Sequence, residues 1–157
     1  MIPIEYLNSI NFGLFFWKEK NMSILHVYFD GSCEPNPNGV AGSGIYIPEL
    51  DVKISKTIGK GKGMTNNVAE WTGAFKDLEY IQGKVEKGDK IVLTGDSQLV
   101  IRQLLGQYLV RAPNLKPFYN KVKEIIKSLH RIGVNVEFKH IPRDENKEAD
   151  GLSRQGI

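Results

Sequence analysis

The sequence predicts an α/β fold built on one mixed sheet, and three observations carry that prediction. Three strand-type runs come first, at 24–30, 42–48 and 52–59, with no helical segment between them. Helical periodicity then alternates with two further strand runs, at 90–95 and 134–139. The chain has 157 residues, 41% hydrophobic and 25% charged, the balance of one ordinary folded domain rather than a disordered chain. The order β-β-β-α-β-α-α-β-α places an antiparallel part before βαβ crossovers. No internal repeat or interdomain linker interrupts it.

Each element has a local reason. ILHVYFD (24–30) is β-branched and aromatic and runs into a Gly-Ser turn signal, so Asp30 is expected to end the first strand. CEPNPNGVAG reads as a turn-rich loop. The next two strands flank the short link Glu49–Asp51 as a hairpin. GKGKGMTNN is Gly-rich but lacks the GK[ST] ending of a phosphate-cradling loop, so nucleotide binding there is rejected. From Thr65 to Gln82 the apolar residues Val68, Trp71, Phe75 and Leu78 step by three and four and predict a helix. Glu70 lies off that stripe. KIVLTG (90–95) reads as a buried strand, followed by a short helix from Ser97 to about Leu105. Asn114 to Arg131 is the clearest helix, with Leu115, Phe118, Val122, Ile125 and Leu129 inward and Lys116, Asn120, Lys123 and Lys127 outward. VNVEFK (134–139) alternates, with Val134, Val136 and Phe138 inward. Pro142 breaks the chain before a last helix over Glu145–Arg154.

Charge narrows the function classes. Lys and Arg number 21 against 18 acids, a net charge of +3. Between Arg102 and Lys139 eight basic residues face only Glu124 and Glu137, so the remainder of the chain is net acidic. That division suits a protein holding a polyanion in one place and cations in another; a solvated helix face gives the same pattern. The single Cys33 excludes an internal disulfide and a Cys-based zinc site, and the cytoplasm is the expected compartment. FGLFFW (12–17) is too short to span a membrane, and no basic n-region marks a secretory signal. Residues 1–21 are therefore an N-terminal extension: a dispensable leader before Met22, a packed extra helix, or a binding element. Residues 22–157 are the expected domain.

Four acids stand at element ends. Asp30 and Asp96 follow apolar strand runs, where acids are depleted. If those strands are neighbours, Glu70 from the first helix and Asp150 from the last reach the same edge. Clustered carboxylates repel, and hard divalent cations remove the repulsion. Two such ions suit an in-line phosphoryl displacement. Taken singly, each acid also has a structural reading: Asp30 starting a turn, Asp96 capping a helix, Glu70 and Asp150 solvated.

YFDGSCEPNPNGVAGSG, MTNNVAEWTGAF, LTGDSQLVI and HIPRDENKEADGLSR closely resemble, in order, the four motif blocks of type 1 ribonuclease H. The resemblance runs from about Ile24 to Leu152. It implies the ribonuclease H-like fold, a five-stranded mixed sheet with helices on both faces. It implies endonucleolytic cleavage of the RNA strand of RNA–DNA hybrids with two divalent ions, Mg²⁺ or Mn²⁺, leaving 5′-phosphate and 3′-hydroxyl ends. Carried over, the catalytic and metal-binding acids are Asp30, Glu70, Asp96 and Asp150. The first would contact both ions, the last the ion that activates water, the middle two the ion at the leaving oxygen. His140 matches the family's auxiliary histidine in proton transfer or product release; a structural role at a strand end is its other reading. His26 and His130 match nothing. Cys33, Asn36, Asn66 and Gln98 match hybrid-binding positions that read the RNA 2′-hydroxyl, and Thr65 with Asn66 matches a grip on a DNA phosphate. Helix capping by Thr65 and turn formation by Asn36 are the alternatives.

The match is incomplete in one place. Where many members insert a basic handle with tryptophan, this chain has QYLVRAPNLKPF. It looks like the short form without a handle, with weaker hybrid affinity. Arg111, Lys116, Lys123 and Lys127 would partly compensate through salt-dependent phosphate contacts. The ending PRDENKEADGLSR also resembles a plant- and archaeal-like branch. Residues 1–21 are too few for the separate hybrid-binding module of some members. RNA–DNA hybrid is the implied partner; the chain is expected to act as a monomer, with no protein partner and no membrane. Two other classes stay open: a non-catalytic nucleic-acid-binding module, and a resolvase- or integrase-like enzyme acting on duplex DNA.

Overall fold

Five strands form one sheet in the order β3-β2-β1-β4-β5. They are β1 (Ile24–Glu34), β2 (Val40–Ile47), β3 (Val52–Lys60), β4 (Lys90–Gly95) and β5 (Asn135–His140). β1 pairs antiparallel with β2, and β2 with β3; β4 runs parallel to both β1 and β5. The helices are α1 (Asn66–Gln82), α2 (Gln98–Leu104), α3 (Lys116–Arg131) and α4 (Lys147–Gln155). This computed structural model describes residues 22–157, so the three readings of residues 1–21 lie outside the described residues. Among the described residues no helix is long and apolar enough to cross a membrane.

Two glycines set how the helices seat. A Cβ on Gly31 would lie 2.1 Å from the Ala69 carbonyl carbon, so α1 meets β1 backbone to backbone. A Cβ on Gly44 would lie 2.3 Å from the Ala149 carbonyl oxygen, so α4 does the same on β2. Gly31 pairs with Ser43, and Gly44 is the next residue, so the two contacts fall on opposite faces. The main core lies between the sheet, α1 and α3: Val27, Phe29, Trp71, Leu78, Leu93, Val122 and Leu129 are fully buried. Each such side chain is worth about 1.5–3 kcal/mol of burial. Trp71 Nε1 donates to Gln103 Oε1 at 2.9 Å and ties α1 to α2.

The predicted order and strand pairing hold, and the differences lie at element ends. β1 runs on to Glu34 instead of ending at Asp30, because Ser32, Cys33 and Glu34 pair across the hairpin with Gly42, Ala41 and Val40. Gly31 serves the close helix contact, not a turn. The link between β2 and β3 is a short 3-10 turn, Pro48–Leu50, closed by Asp51 at φ 52°. α1 is buried well beyond the expected stripe, including Ala69, Thr72, Ala74, Asp77 and Ile81, because both the sheet and α3 cover it. α3 starts at Lys116, two residues late, with Pro117 in its first turn. β5 is shifted by one residue and takes in His140. The last helix starts at Lys147; Arg143–Glu145 form a separate 3-10 turn after Pro142.

Candidate active site

The sheet splits where its parallel part ends. β4 stops at Gly95 opposite Phe29, while β1 continues beside β2 alone. Asp30 and Asp96 are the next residues on the two strands, at the carboxyl end of a parallel pair, where open α/β sheets bind ligands. Ser97, not Asp96, caps α2 by accepting from Val100 N at 3.2 Å, so the Asp96 carboxylate is free of that duty. Thr65 caps α1 by accepting from Val68 N at 3.1 Å. That fixes the first turns of α1, and the Gly31 contact carries Glu70 against β1, where the Gly31 backbone favours its charged form.

Asp30, Glu70 and Asp96 each offer a carboxylate oxygen, and these oxygens lie within 4.8 Å of one another. Asp150 borders the cluster. It neighbours Asp30, and its Oδ1 faces Arg154 Nε at 3.3 Å and Arg143 Nη2 at 3.5 Å. Ser153 donates to Asp30 Oδ2 at 3.0 Å. His140 is exposed, and its Nε2 donates to the Asp96 carbonyl at 3.2 Å. The structure thus brings three of the four expected acids into one cluster, with the fourth and the histidine at its rim.

Electrostatics follow from that crowding. Burial first, then the Asp96 charge, pushes Asp30 up to about 7. Burial and then Asp30 push Glu70 well above the usual carboxylate range. Asp96 is also raised by burial, against the opposing pull of Asn146 and Arg143. At Asp150 burial is outweighed by Asp30 and the two arginines, and its pKa falls below the ordinary value. Glu70 Oε2 and Asp96 Oδ2 are buried without a hydrogen-bond partner. Buried orphan oxygens in an all-carboxylate set are what a hard divalent cation would satisfy, Mg²⁺ or Mn²⁺ rather than a soft metal.

The cluster lines a cleft of about 690 Å³, shared with Cys33, Asn36, Asn66, Arg143 and Arg154. Asn66 organises its rim: its Oδ1 accepts from Cys33 N at 2.8 Å, and its own N–H donates to Asn36 Oδ1 at 3.0 Å. Thr65 and Gln98 do not line the cleft; Thr65 is spent on the cap, and Gln98 is exposed at the start of α2.

The RNase H family profile matches residues 22–157. The chain belongs to the RNase H family. It is 33% identical over 138 residues to ribonuclease HI of Halobacterium salinarum, covering 85% of this chain and 64% of that protein. It is 29% identical over 132 residues to the uncharacterized YpeP of Bacillus subtilis, covering 82% of this chain and 57% of that one. The chain therefore spans less than two thirds of the length of these curated relatives. Among solved structures it resembles RNase H1 of H. salinarum, with a TM-score of 0.73 at 30% identity, covering 85% of this chain and 97% of that one. It also resembles LC11-RNase H1 in complex with RNA/DNA hybrid, with a TM-score of 0.74 at 32% identity over 85% and 96%.

As expected for the short RNase H form, residues 105–115 join α2 to α3 without a further helix or strand. This connection forms a second groove of about 490 Å³, lined by Tyr108, Leu109, Arg111, Lys116 and Tyr119 among others. Arg111 and Lys116 thus come together. Lys123 instead sits 5.8 Å from the Tyr119 ring centre, and Lys127 is exposed further along α3, outside the groove. Four residues around the carboxylates escaped the sequence reading: Arg143, Asn146, Ser153 and Arg154. The helical spacing Asn146, Asp150, Ser153, Arg154 was the available signal, since i, i+3 and i+4 share a face.

Proposed function

We propose that residues 22–157 form an endoribonuclease that hydrolyses the RNA strand of RNA–DNA hybrids with two divalent ions, Mg²⁺ or Mn²⁺, leaving 5′-phosphate and 3′-hydroxyl ends. The observation that carries it is the cluster of Asp30, Glu70 and Asp96, with two orphaned oxygens, at the base of a polar cleft. Family membership and the hybrid-bound relative support the substrate. Asp30, Glu70, Asp96 and Asp150 would hold the ions. When bound, such ions activate the attacking water and stabilise the leaving oxygen.

The chain's own groups do the rest. Asn36 and Asn66 present polar atoms beside the Cys33 backbone, suited to the 2′-hydroxyl that separates RNA from DNA. Thr65 keeps the amino end of α1 open to a phosphate of the DNA strand. Gln98 meets the hybrid from α2. His140, exposed beside Asp96, moves a proton or eases product release. Arg111 and Lys116 in the second groove, with Lys123 and Lys127 along α3, contact the backbone as point charges, so binding weakens steeply with salt. The protein acts as a monomer in the cytoplasm and needs no protein partner.

The test is incubation of end-labelled hybrids, including single-ribonucleotide substrates, with Mg²⁺ or Mn²⁺. RNA-strand cleavage giving 5′-phosphate and 3′-hydroxyl products is expected. Hybrid bound but never cut would make the chain a binding module, and cutting of duplex DNA would make it a different nuclease.

A further inference from the structure

Asn146 is a buried amide at the junction of three elements that carry the acids. Only 2% of it is exposed. Its Nδ2 donates to the Phe29 carbonyl at 3.0 Å, across 117 residues of sequence, next to Asp30 in β1. Its side chain also faces the Asp96 carboxylate after β4 and favours the charged form of that acid. Its backbone carbonyl accepts from Asp150 N at 3.0 Å, the opening bond of α4. The orientation of the amide is forced: a carbonyl and a carboxylate both need a donor, so Nδ2 faces them. Oδ1 is left buried without a partner. A residue that caps nothing with its side chain, and strands an acceptor in the interior, is poorly explained by stability alone.

Resting on the proposed metal-dependent reading, we propose that Asn146 is a positioning residue: its amide locks Asp30, Asp96 and Asp150 into one donor set for divalent cations. β1 and β4 no longer hydrogen-bond each other beyond Phe29 and Gly95. Nothing in the sheet ladder fixes the spacing of the next two residues, Asp30 and Asp96. The Asn146 amide spans that gap and anchors the helix that presents Asp150. Outer residues that orient ligands in this way typically govern metal affinity or activity by about 10- to 100-fold.

Two variants test it. Asn146→Asp keeps the shape and the preference for a helix start but removes the donor; Asn146→Ala removes the whole group. Mn²⁺ binding to the protein alone is measured by calorimetry, beside kcat and KM on hybrid and the thermal melt. Positioning predicts Mn²⁺ binding weaker by about 10- to 100-fold in both variants. It also predicts a loss in kcat at saturating hybrid with KM nearly unchanged, in proteins that melt cooperatively. A purely structural role predicts a lowered melt in Asn146→Ala, rescue by Asn146→Asp, and wild-type Mn²⁺ affinity in whichever variant folds; that result would overturn the proposal. Failure of the wild type to cut hybrid would instead remove the nuclease reading, and the Mn²⁺ titration would still decide the positioning role.

Discussion

Glu70 and Asp77 lie two turns apart on α1, and both are carboxyl groups held well above their usual pKa by burial. Their surroundings differ. Glu70 meets Asp30 and Asp96 at the base of a cleft. Asp77 is fully buried, burial is the sole cause of its shift, and neither of its oxygens has a hydrogen-bond partner. Asp89 shows the ordinary solution for a buried acid: its two oxygens accept from Ser23 N at 3.3 Å and Glu86 N at 2.9 Å. The contrast separates two kinds of strain. In the cluster a cation reaching the cleft would relieve the cost of crowding; at Asp77 only a proton would.

The largest effect expected from that contrast is on catalysis. Asp96→Asn should lower hybrid cleavage by roughly a thousand-fold, since metal-assisted charge stabilisation is worth several kcal/mol. The metal-free melt should stay level or rise, because one repelling charge is gone. Rates on labelled hybrid and a melt in chelator check both; a fall of several degrees in the melt would break the picture of crowded acids.

Cation binding comes next. Mg²⁺ or Mn²⁺ at one hundred times its Kd should stabilise the wild type by about 2.7 kcal/mol and the Asp96→Asn variant by less. Equal shifts in denaturant titrations would place the ion elsewhere.

The pH dependence sharpens the comparison further. Both Asp30 and Asp77 are raised in the folded state, so each contributes stability that is complete below the unfolded pKa and lost as pH rises through the folded one. For Asp30 that window runs from about 4 to about 7. Saturating Mg²⁺ should abolish the cluster's share of the loss, because the ion binds the deprotonated acids. It should leave the share of Asp77 intact. Asp77→Asn should remove that remaining share, about 1–3 kcal/mol on the scale of buried polar groups. Urea titrations across pH, with and without Mg²⁺, separate the two.

The smallest effect belongs to Arg154→Ala. Its partner Asp150 sits at a partly exposed rim, so the lost pair should cost under about 1 kcal/mol. The Asp150 pKa is lowered in the fold, so its contribution is present above the unfolded value and fades as pH falls. The difference between wild type and variant should therefore shrink in acid.

Much of this was legible in the sequence because the signals were local. Val68, Trp71, Phe75 and Leu78 gave α1 by spacing, and the apolar run before Asp96 gave β4. The motif blocks gave the acids. What escaped depended on distant partners. β1 outran its expected end because its pairing with β2 continues past Gly31, and a Gly-Ser pair in isolation reads as a turn. Nothing local marks Asp77 as buried, since only the packing of the sheet and α3 around α1 covers it. Asn146 shares a helical face with Asp150 by spacing, but the contact that singles it out, with Phe29, is far off in sequence.

Diffraction from Mn²⁺-soaked crystals, read at the manganese absorption edge, examines the core of this account without relying on turnover. Anomalous density bridging the side chains of Asp30, Glu70 and Asp96 is the predicted result. Ordered manganese bound only at other surface acids, with that trio empty, would contradict it.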